Sequence, residues 1–328
     1  MPPNSTFVND PIVIVGQPRS GSTILTRLLN EDPSVFIVND FYVLQKIDAE
    51  NLWEPLTSDE AFRVAQWVYR ILEIRSTQEV GKTLEQPIHL SLDNLGELKQ
   101  LICAEWPDFL LWSDVLHMIF ERAATLAGAT RWGWNTPQDH QHLDRIYAGF
   151  PQALVVCQLR QPNAVLASYK NVEGWWHDRR RYNPVVLAYA WKKAAASTEF
   201  WLKEKPEQFQ FIRYEDLVGD TPKTSEAFAR FLRLTALPNS LEGLGKNSSM
   251  SGTKPKKNVT GLESRLAQKI CAESATRLGF PAAAKIGIRM SDFGAALYIV
   301  KNSTSLLFSE YLFNNDRRRR LLNLAFKK

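Results

Sequence analysis

The sequence predicts an α/β fold of the P-loop-like, three-layer kind: a central parallel sheet flanked by helices, with a helical insertion. Three observations predict it. Short apolar, β-branched runs recur along the chain, and stretches of helical spacing lie between them. The first run feeds a Gly/Pro/Ser loop and then a helix start, which is the sequence form of an anion-binding turn. The composition suits a sizeable core, with 328 residues of which 45% are hydrophobic and 23% charged.

Ile12-Val13-Ile14-Val15 is the first buried-strand signal. Thr23 to Leu29 follows with helical spacing and stops before Pro33. Val35 to Val38 reads as a second strand. From Phe41 to Ala127 the pattern is mostly helical, broken by the polar stretch Ser76 to Pro87 and by Pro107, so an insertion over 41–130 is expected. The strand pattern returns at Ala153 to Leu159 and stops at Arg160, with Pro162 suited to open the next helix. A helix over Pro184 to Leu202, a strand over Phe209 to Ile212 and a helix around Glu226 to Leu234 come next. Leu237 to Thr260 is loop-like, and Leu262 to Leu278 is helical with Gly279 as its stop. One domain over 1–285 and a basic extension over 286–328 account for the whole chain.

Charge and cysteine usage exclude several classes. The net charge is +5 with a pI near 9.0. The last 28 residues hold seven basic and two acidic side chains, the whole of that excess. The other 300 are balanced, so no nucleic-acid partner is expected. Cys103, Cys157 and Cys271 are odd in number and far apart, which argues against a disulfide framework. No signal peptide or membrane-spanning run is visible, so the expected location is cytoplasmic, and the Asn-X-Ser/Thr sequons at Asn4, Asn247, Asn258 and Asn302 are read as chance matches.

Gly16-Gln17-Pro18-Arg19-Ser20-Gly21-Ser22-Thr23 lies between a strand and a helix start. It has the Walker spacing, yet Ser22 stands where a Walker loop carries lysine. The cation has moved into the loop as Arg19. A magnesium-dependent phosphoryl-transfer enzyme also needs an acidic group at a later strand end, and there the sequence has Arg160. Both departures favour an anion held by protein cations without a metal. A small-molecule kinase and a ligand-free turn are the alternatives.

The loop resembles the 5′-phosphosulfate loop of sulfotransferases that use 3′-phosphoadenosine-5′-phosphosulfate (PAPS), in the Pro-Arg-Ser-Gly-Ser/Thr-Thr version common in bacterial and carbohydrate-type members. Arg160-Gln161-Pro162, with Ser168 eight residues after the arginine, is similar to that superfamily's 3′-phosphate motif. Trp134-Asn135-Thr136-Pro137, Gly149 to Ala153 and Arg213-Tyr214-Glu215-Asp216-Leu217 keep the family order. The resemblance runs from about residue 11 to 280. It implies transfer of a sulfuryl group from PAPS, as co-substrate, to a hydroxyl or amine of a small-molecule or glycan acceptor. Pro18, Arg19, Ser20, Gly21, Ser22 and Thr23 would bind the 5′-phosphosulfate, and Arg160 and Ser168 the 3′-phosphate.

The same resemblance places Asp40 where many relatives carry a glutamate base, so Arg19 and Asp40 are the expected catalytic pair. Asp40 is equally suited to cap a helix starting at Phe41. His140 and His142 are second candidates for the base, and their polar surroundings suggest surface residues. Where many relatives carry a lysine, this chain has Asn135. Either Arg19 supplies the cation alone, or the chain is a non-catalytic or poorly catalytic PAPS binder. Ser248 to Lys257 is placed to close the nucleotide site. Trp175 and Trp176 could stack on an acceptor, with carbohydrate or glycolipid slightly ahead of a phenol, or pack the insertion. The basic tail, Leu297 to Lys328, suits either weak contact with an anionic membrane surface or packing on protein.

Overall fold

The strand Ile12–Gly16 (β1) is wholly buried and occupies the centre of a parallel sheet. The computed structural model describes residues 11–77, 110–171, 182–235, 237–241 and 257–281, with isolated positions within 91–100 and 292–297. Its contacts divide the chain into two compact units, Met1–Arg160 with Ala194–Ser248, and Gln161–Lys193 with Ser249–Lys328.

In the first unit, β1 leads into helix α1 (Ser22–Asn30), strand β2 (Val35–Asn39), and helices α2 (Val43–Glu50), α3 (Ser58–Thr77) and α4 (Trp112–Leu126). Strand β3 (Arg131–Asn135), a 3₁₀ turn (Pro137–Gln141), helix α5 (Leu143–Gly149) and strand β4 (Leu154–Leu159) follow. Strand β5 (Phe209–Arg213), α8 (Tyr214–Gly219) and α9 (Thr221–Leu232) complete it, while α6 (Pro162–Asn171) and α7 (Pro184–Glu204) lie between β4 and β5 in sequence. The five strands are parallel in the order β2-β3-β1-β4-β5. The α/β class and parallel sheet are those the sequence predicts.

Alternation along the strands sends two apolar sets to opposite faces. Ile12, Ile14, Val35, Ile37, Leu154 and Val156 pack with Leu25, Leu28 and Leu29 of α1 and with Leu217, Phe228 and Leu232 of α8 and α9. The α1–β2 turn is locked by Asn30, whose side chain accepts from Ile37 N–H at 2.8 Å and donates to Ile37 carbonyl at 2.9 Å. The other face is aromatic. Trp132 stacks on Phe120 of α4 at 5.0 Å between ring centres, and Phe41 meets Phe120 edge-on at 5.1 Å.

β3 is the strand that the hydrophobic pattern did not reveal. Arg131 opens it and Gly133 interrupts it, which breaks the apolar run. Both residues have a structural reason. A Cβ on Gly133 would stand 1.9 Å from the Ile12 carbonyl oxygen, so only glycine fits there. Arg131 is buried and donates to the Leu232 carbonyl at 2.8 Å.

In the second unit, α6 and α10 (Gly261–Arg277) share a polar seam. Lys170 pairs with Glu263 at 2.5 Å and donates to the Asn258 carbonyl at 3.0 Å, while Asn163 donates to Ser264 at 2.8 Å. Glu263 also accepts from Thr260 N–H at 2.7 Å, completing a capping box that starts α10. The expected stop at Gly279 is present with φ 74°.

Candidate active site

The loop after β1 is built by backbone geometry that few residues tolerate. Gly16 has φ 145°, and a Cβ there would lie 2.0 Å from the Gln158 carbonyl oxygen on neighbouring β4. Gln17 to Ser20 then closes a turn, with Ser20 N–H donating to the Gln17 carbonyl at 3.1 Å. Proline at the second position and a positive φ at the third follow the type II pattern. The third residue is Arg19, at φ 74°, in a conformation that costs a non-glycine residue about 1–3 kcal/mol. Gly21 caps α1 at φ 88°, and among the described residues no side chain caps the helix N-terminus. The N-terminal N–H groups and the helix dipole therefore favour an anion.

Two neighbours fix this loop. The Gln158 side chain, fully buried at the end of β4, donates to the Ser20 carbonyl at 2.9 Å. Tyr214 packs so close to Gly21 that a Cβ there would meet its ring at 2.4 Å. The same ring lies under Arg160, whose guanidinium carbon is 4.4 Å from the ring centre. The Arg213 to Leu217 segment thereby gains a physical role. Arg213 forks onto Asp216 at 2.7 and 2.8 Å, holding the turn that presents Tyr214. Gln158 and the Tyr214 platform were missed by sequence reasoning. A glutamine inside an apolar strand was the available signal for the first.

At the ends of β2 and β3 a polar cluster forms beside the loop. Asn135 donates to Ser22 Oγ at 3.2 Å and to Asn39 Oδ1 at 2.5 Å. Asn39 donates in turn to Asp40 Oδ2 at 3.2 Å. Asp40 sits at φ 55°, accepts from the Tyr42 hydroxyl at 3.2 Å and forms an ion pair with Arg75 of α3 at 3.1 Å. It does not cap a helix, since α2 begins at Val43 after Tyr42 and no side chain caps it. The capping alternative for Asp40 is therefore corrected.

The expectation of surface histidines is corrected for His140, and His142 is half-buried. His140 is buried and its carbonyl accepts from Ser197 at 2.9 Å, while His142 packs on the Trp53 ring at 5.5 Å. Burial pushes the His142 pKa down against the pull of Asp48 and Asp144. Asp139, just before His140, is fully buried. Burial raises its pKa to about 7, opposed by hydrogen bonds from Trp134, Gln45 and Thr136. Its oxygens accept from Trp134 Nε1 at 2.9 Å and Gln45 Nε2 at 2.5 Å. Burial also pushes the Cys157 and Cys271 thiols up to about 12, which keeps both protonated and poorly nucleophilic.

The first unit thus brings Arg19, Ser20, Gly21, Ser22 and Thr23 onto one loop with Pro18, links Ser22 to Asp40 through two asparagines, and sets Arg160 on Tyr214 beside that loop. Ser168 is buried on α6 in the second unit. Trp175, Trp176, Cys103, nearly all of the Ser248 to Lys257 loop and most of the basic tail lie outside the described residues. Lys257 N–H donates to Asn171 Oδ1 at 2.8 Å. Among the described residues, no helix is long and apolar enough to cross a membrane.

No curated protein matches the chain at a significant level. Among solved structures, the sulfotransferase domain from the curacin biosynthetic pathway is 19% identical, with a TM-score of 0.50. That match covers 85% of this chain and all of that one. The sulfotransferase domain of the Synechococcus PCC 7002 olefin synthase is 17% identical with a TM-score of 0.48, over 94% of this chain and 98% of that one. At such identities the first match speaks to the fold alone. The family model described as the sulfotransferase family matches residues 11–238, which is more than half of the sequence and includes the β1 loop and the Arg160 strand end. With the loop, the parallel sheet and this match in agreement, the chain belongs to the sulfotransferase family.

Proposed function

We propose that the chain transfers a sulfuryl group from PAPS to an acceptor hydroxyl or amine, without a metal. The observation that carries this reading is the β1 loop. A cation, Arg19, is held at positive φ, in a turn that runs into an uncapped helix N-terminus. Arg19 and the N–H groups of Ser20 to Thr23 bind the 5′-phosphosulfate. Arg160 takes the 3′-phosphate, and Ser168 is assigned to the same phosphate on the sequence motif.

The reaction is an in-line displacement. The acceptor oxygen or nitrogen forms a bond to sulfur, the bond from sulfur to the 5′-phosphate oxygen breaks, and that oxygen leaves with the electron pair. Arg19 and the loop N–H groups stabilise the charge that develops on the leaving and equatorial oxygens. The acceptor proton passes to the Asp40 carboxylate. Arg75 and Tyr42 support this role because they fix the carboxylate's orientation.

One observation favours a second reading, a protein that binds PAPS or the desulfated donor, 3′-phosphoadenosine-5′-phosphate (PAP), without turnover. Asn135 is buried and uncharged where many relatives place a lysine, and its N–H groups are already used by Ser22 and Asn39. Calorimetry with PAP and transfer of labelled sulfate from PAPS to a panel of carbohydrate, phenol and amine acceptors separate the two. Binding with transfer that falls in Arg19→Ala supports the enzyme. Binding without transfer supports the second reading, and indifference to PAP overturns both.

A further inference from the structure

We propose that Asn39 and Asn135 are positioning residues that let the Asp40 carboxylate dictate which way the Ser22 hydroxyl points. The proposal rests on the sulfotransferase reading above and deepens it. The four side chains form an unbroken chain across the carboxyl edge of the sheet: Ser22 opening α1, Asn135 ending β3, Asn39 ending β2, and Asp40 beyond it.

Its direction follows from donor and acceptor chemistry. An ionised carboxylate can only accept, so Asn39 must present its N–H to Asp40, at 3.2 Å. The Asn39 carbonyl oxygen then faces Asn135 and accepts from its N–H at 2.5 Å. Asn135 presents its other N–H to Ser22 Oγ at 3.2 Å. With that lone pair engaged, the hydroxyl hydrogen of Ser22 turns away from Asn135 and donates to the anion in the loop. The cluster is built rather than incidental. Asn135 is 1% exposed, and its own Oδ1 is buried with no hydrogen-bond partner among the described residues, a cost accepted for the two donations.

An uncharged Asn135 therefore does something a lysine there would not. It carries the polarity of the carboxylate to the anion loop and presets a donor, so that no hydroxyl must reorient when the charged ligand arrives.

A double-mutant cycle read by PAP binding tests this. Ser22→Ala removes the donor and weakens PAP about tenfold, as expected for a hydrogen bond to a charged group. Asn135→Leu, close in shape, leaves Ser22 undirected and weakens PAP about threefold to fivefold. In the Ser22→Ala background the same Asn135→Leu change costs nothing further, because no hydroxyl remains to direct. Asn39→Leu repeats the pattern from a half-buried position, so the test survives a misfolded Asn135 variant, and thermal unfolding checks every variant. Independent, multiplying losses for either asparagine overturn the proposal while leaving the sulfotransferase reading intact. A wild-type chain that ignores PAP overturns both.

Discussion

Asp139→Asn removes a buried ionisable group whose cost to the fold changes with pH. Burial raises the Asp139 pKa from 3.8 to about 7, even though Trp134, Gln45 and Thr136 all support the ionised form. Each pKa unit corresponds to about 1.4 kcal/mol, so the shift of about three units disfavours the ionised native state by about 4 kcal/mol. The native state keeps a proton that the unfolded chain has released. Its contribution is therefore fully present below about pH 4, falls by about 1.4 kcal/mol per unit, and is exhausted above about pH 7.

Asparagine has nearly the same shape and no charge. Its oxygen accepts from Trp134, and its amide donates to Gln45 once that side chain turns to present Oε1, a buried atom with no partner among the described residues of the wild type. Both contacts survive while the penalty disappears. Relative to wild type, the variant should gain about 4 kcal/mol between pH 4 and pH 8, and it should be the more stable protein at pH 8. Urea unfolding of both proteins at half-unit pH steps measures the difference directly. Parallel stability curves would refute the assignment of this titration to Asp139.

Three further outcomes follow from particular contacts. Arg19→Gly should raise unfolding stability by about 1 kcal/mol, because glycine relieves the positive φ, yet weaken PAP roughly tenfold or more by calorimetry; a stable variant with wild-type affinity would remove Arg19 from the site. Gly21→Ala should cost about 2–4 kcal/mol in urea unfolding, from left-handed strain and from displacement of the Tyr214 ring, and adding Tyr214→Ala should recover only the ring's share. Lys170→Met strands the Glu263 carboxylate, which is 3% exposed, and should cost about 3–5 kcal/mol by chemical unfolding, with Lys170→Met/Glu263→Gln recovering part of the loss.

Most of the sheet could be read from the sequence because β1, β2 and β4 are buried, mainly apolar runs and the partly buried β5 keeps an apolar pattern with clear ends. β3 could not, since its two informative positions obey tertiary demands. Gly133 is set by the approach of the β1 backbone, and Arg131 by a carbonyl more than a hundred residues away in α9. The short α8 was hidden for a related reason, its sequence being spent on the Arg213–Asp216 fork and the Tyr214 platform. At the site, the anion loop was legible because glycine spacing and a flanking strand and helix are local signals. Its supports were not, since Gln158 and Asn39 act on the loop from other strands and Tyr214 from the start of α8. The histidines misled because the polar run Gln138 to His142 is not uniformly exposed: Asp139 and His140 turn inward and His142 is half-buried, while Gln141 alone faces water.

The backbone offers a separate line of argument about which residues act. Among the described residues, four non-glycine positions have positive φ: Arg19, Asp40, Asn51 and Arg233. Asn51 and Arg233 terminate α2 and α9 as left-handed C-caps, a local role that explains their conformation. Neither Arg19 nor Asp40 ends a helix. Their strain is held in place by neighbours, through the Gln17–Ser20 turn for one and through Arg75, Tyr42 and Asn39 for the other. Strain that structure alone does not require tends to gather where a group must be aimed. The pair singled out is the one the motif resemblance nominates for sulfuryl transfer. A positive φ turns each side chain away from the direction an ordinary strand end would give it, as the roles proposed for a cation and a carboxylate on neighbouring loops would require.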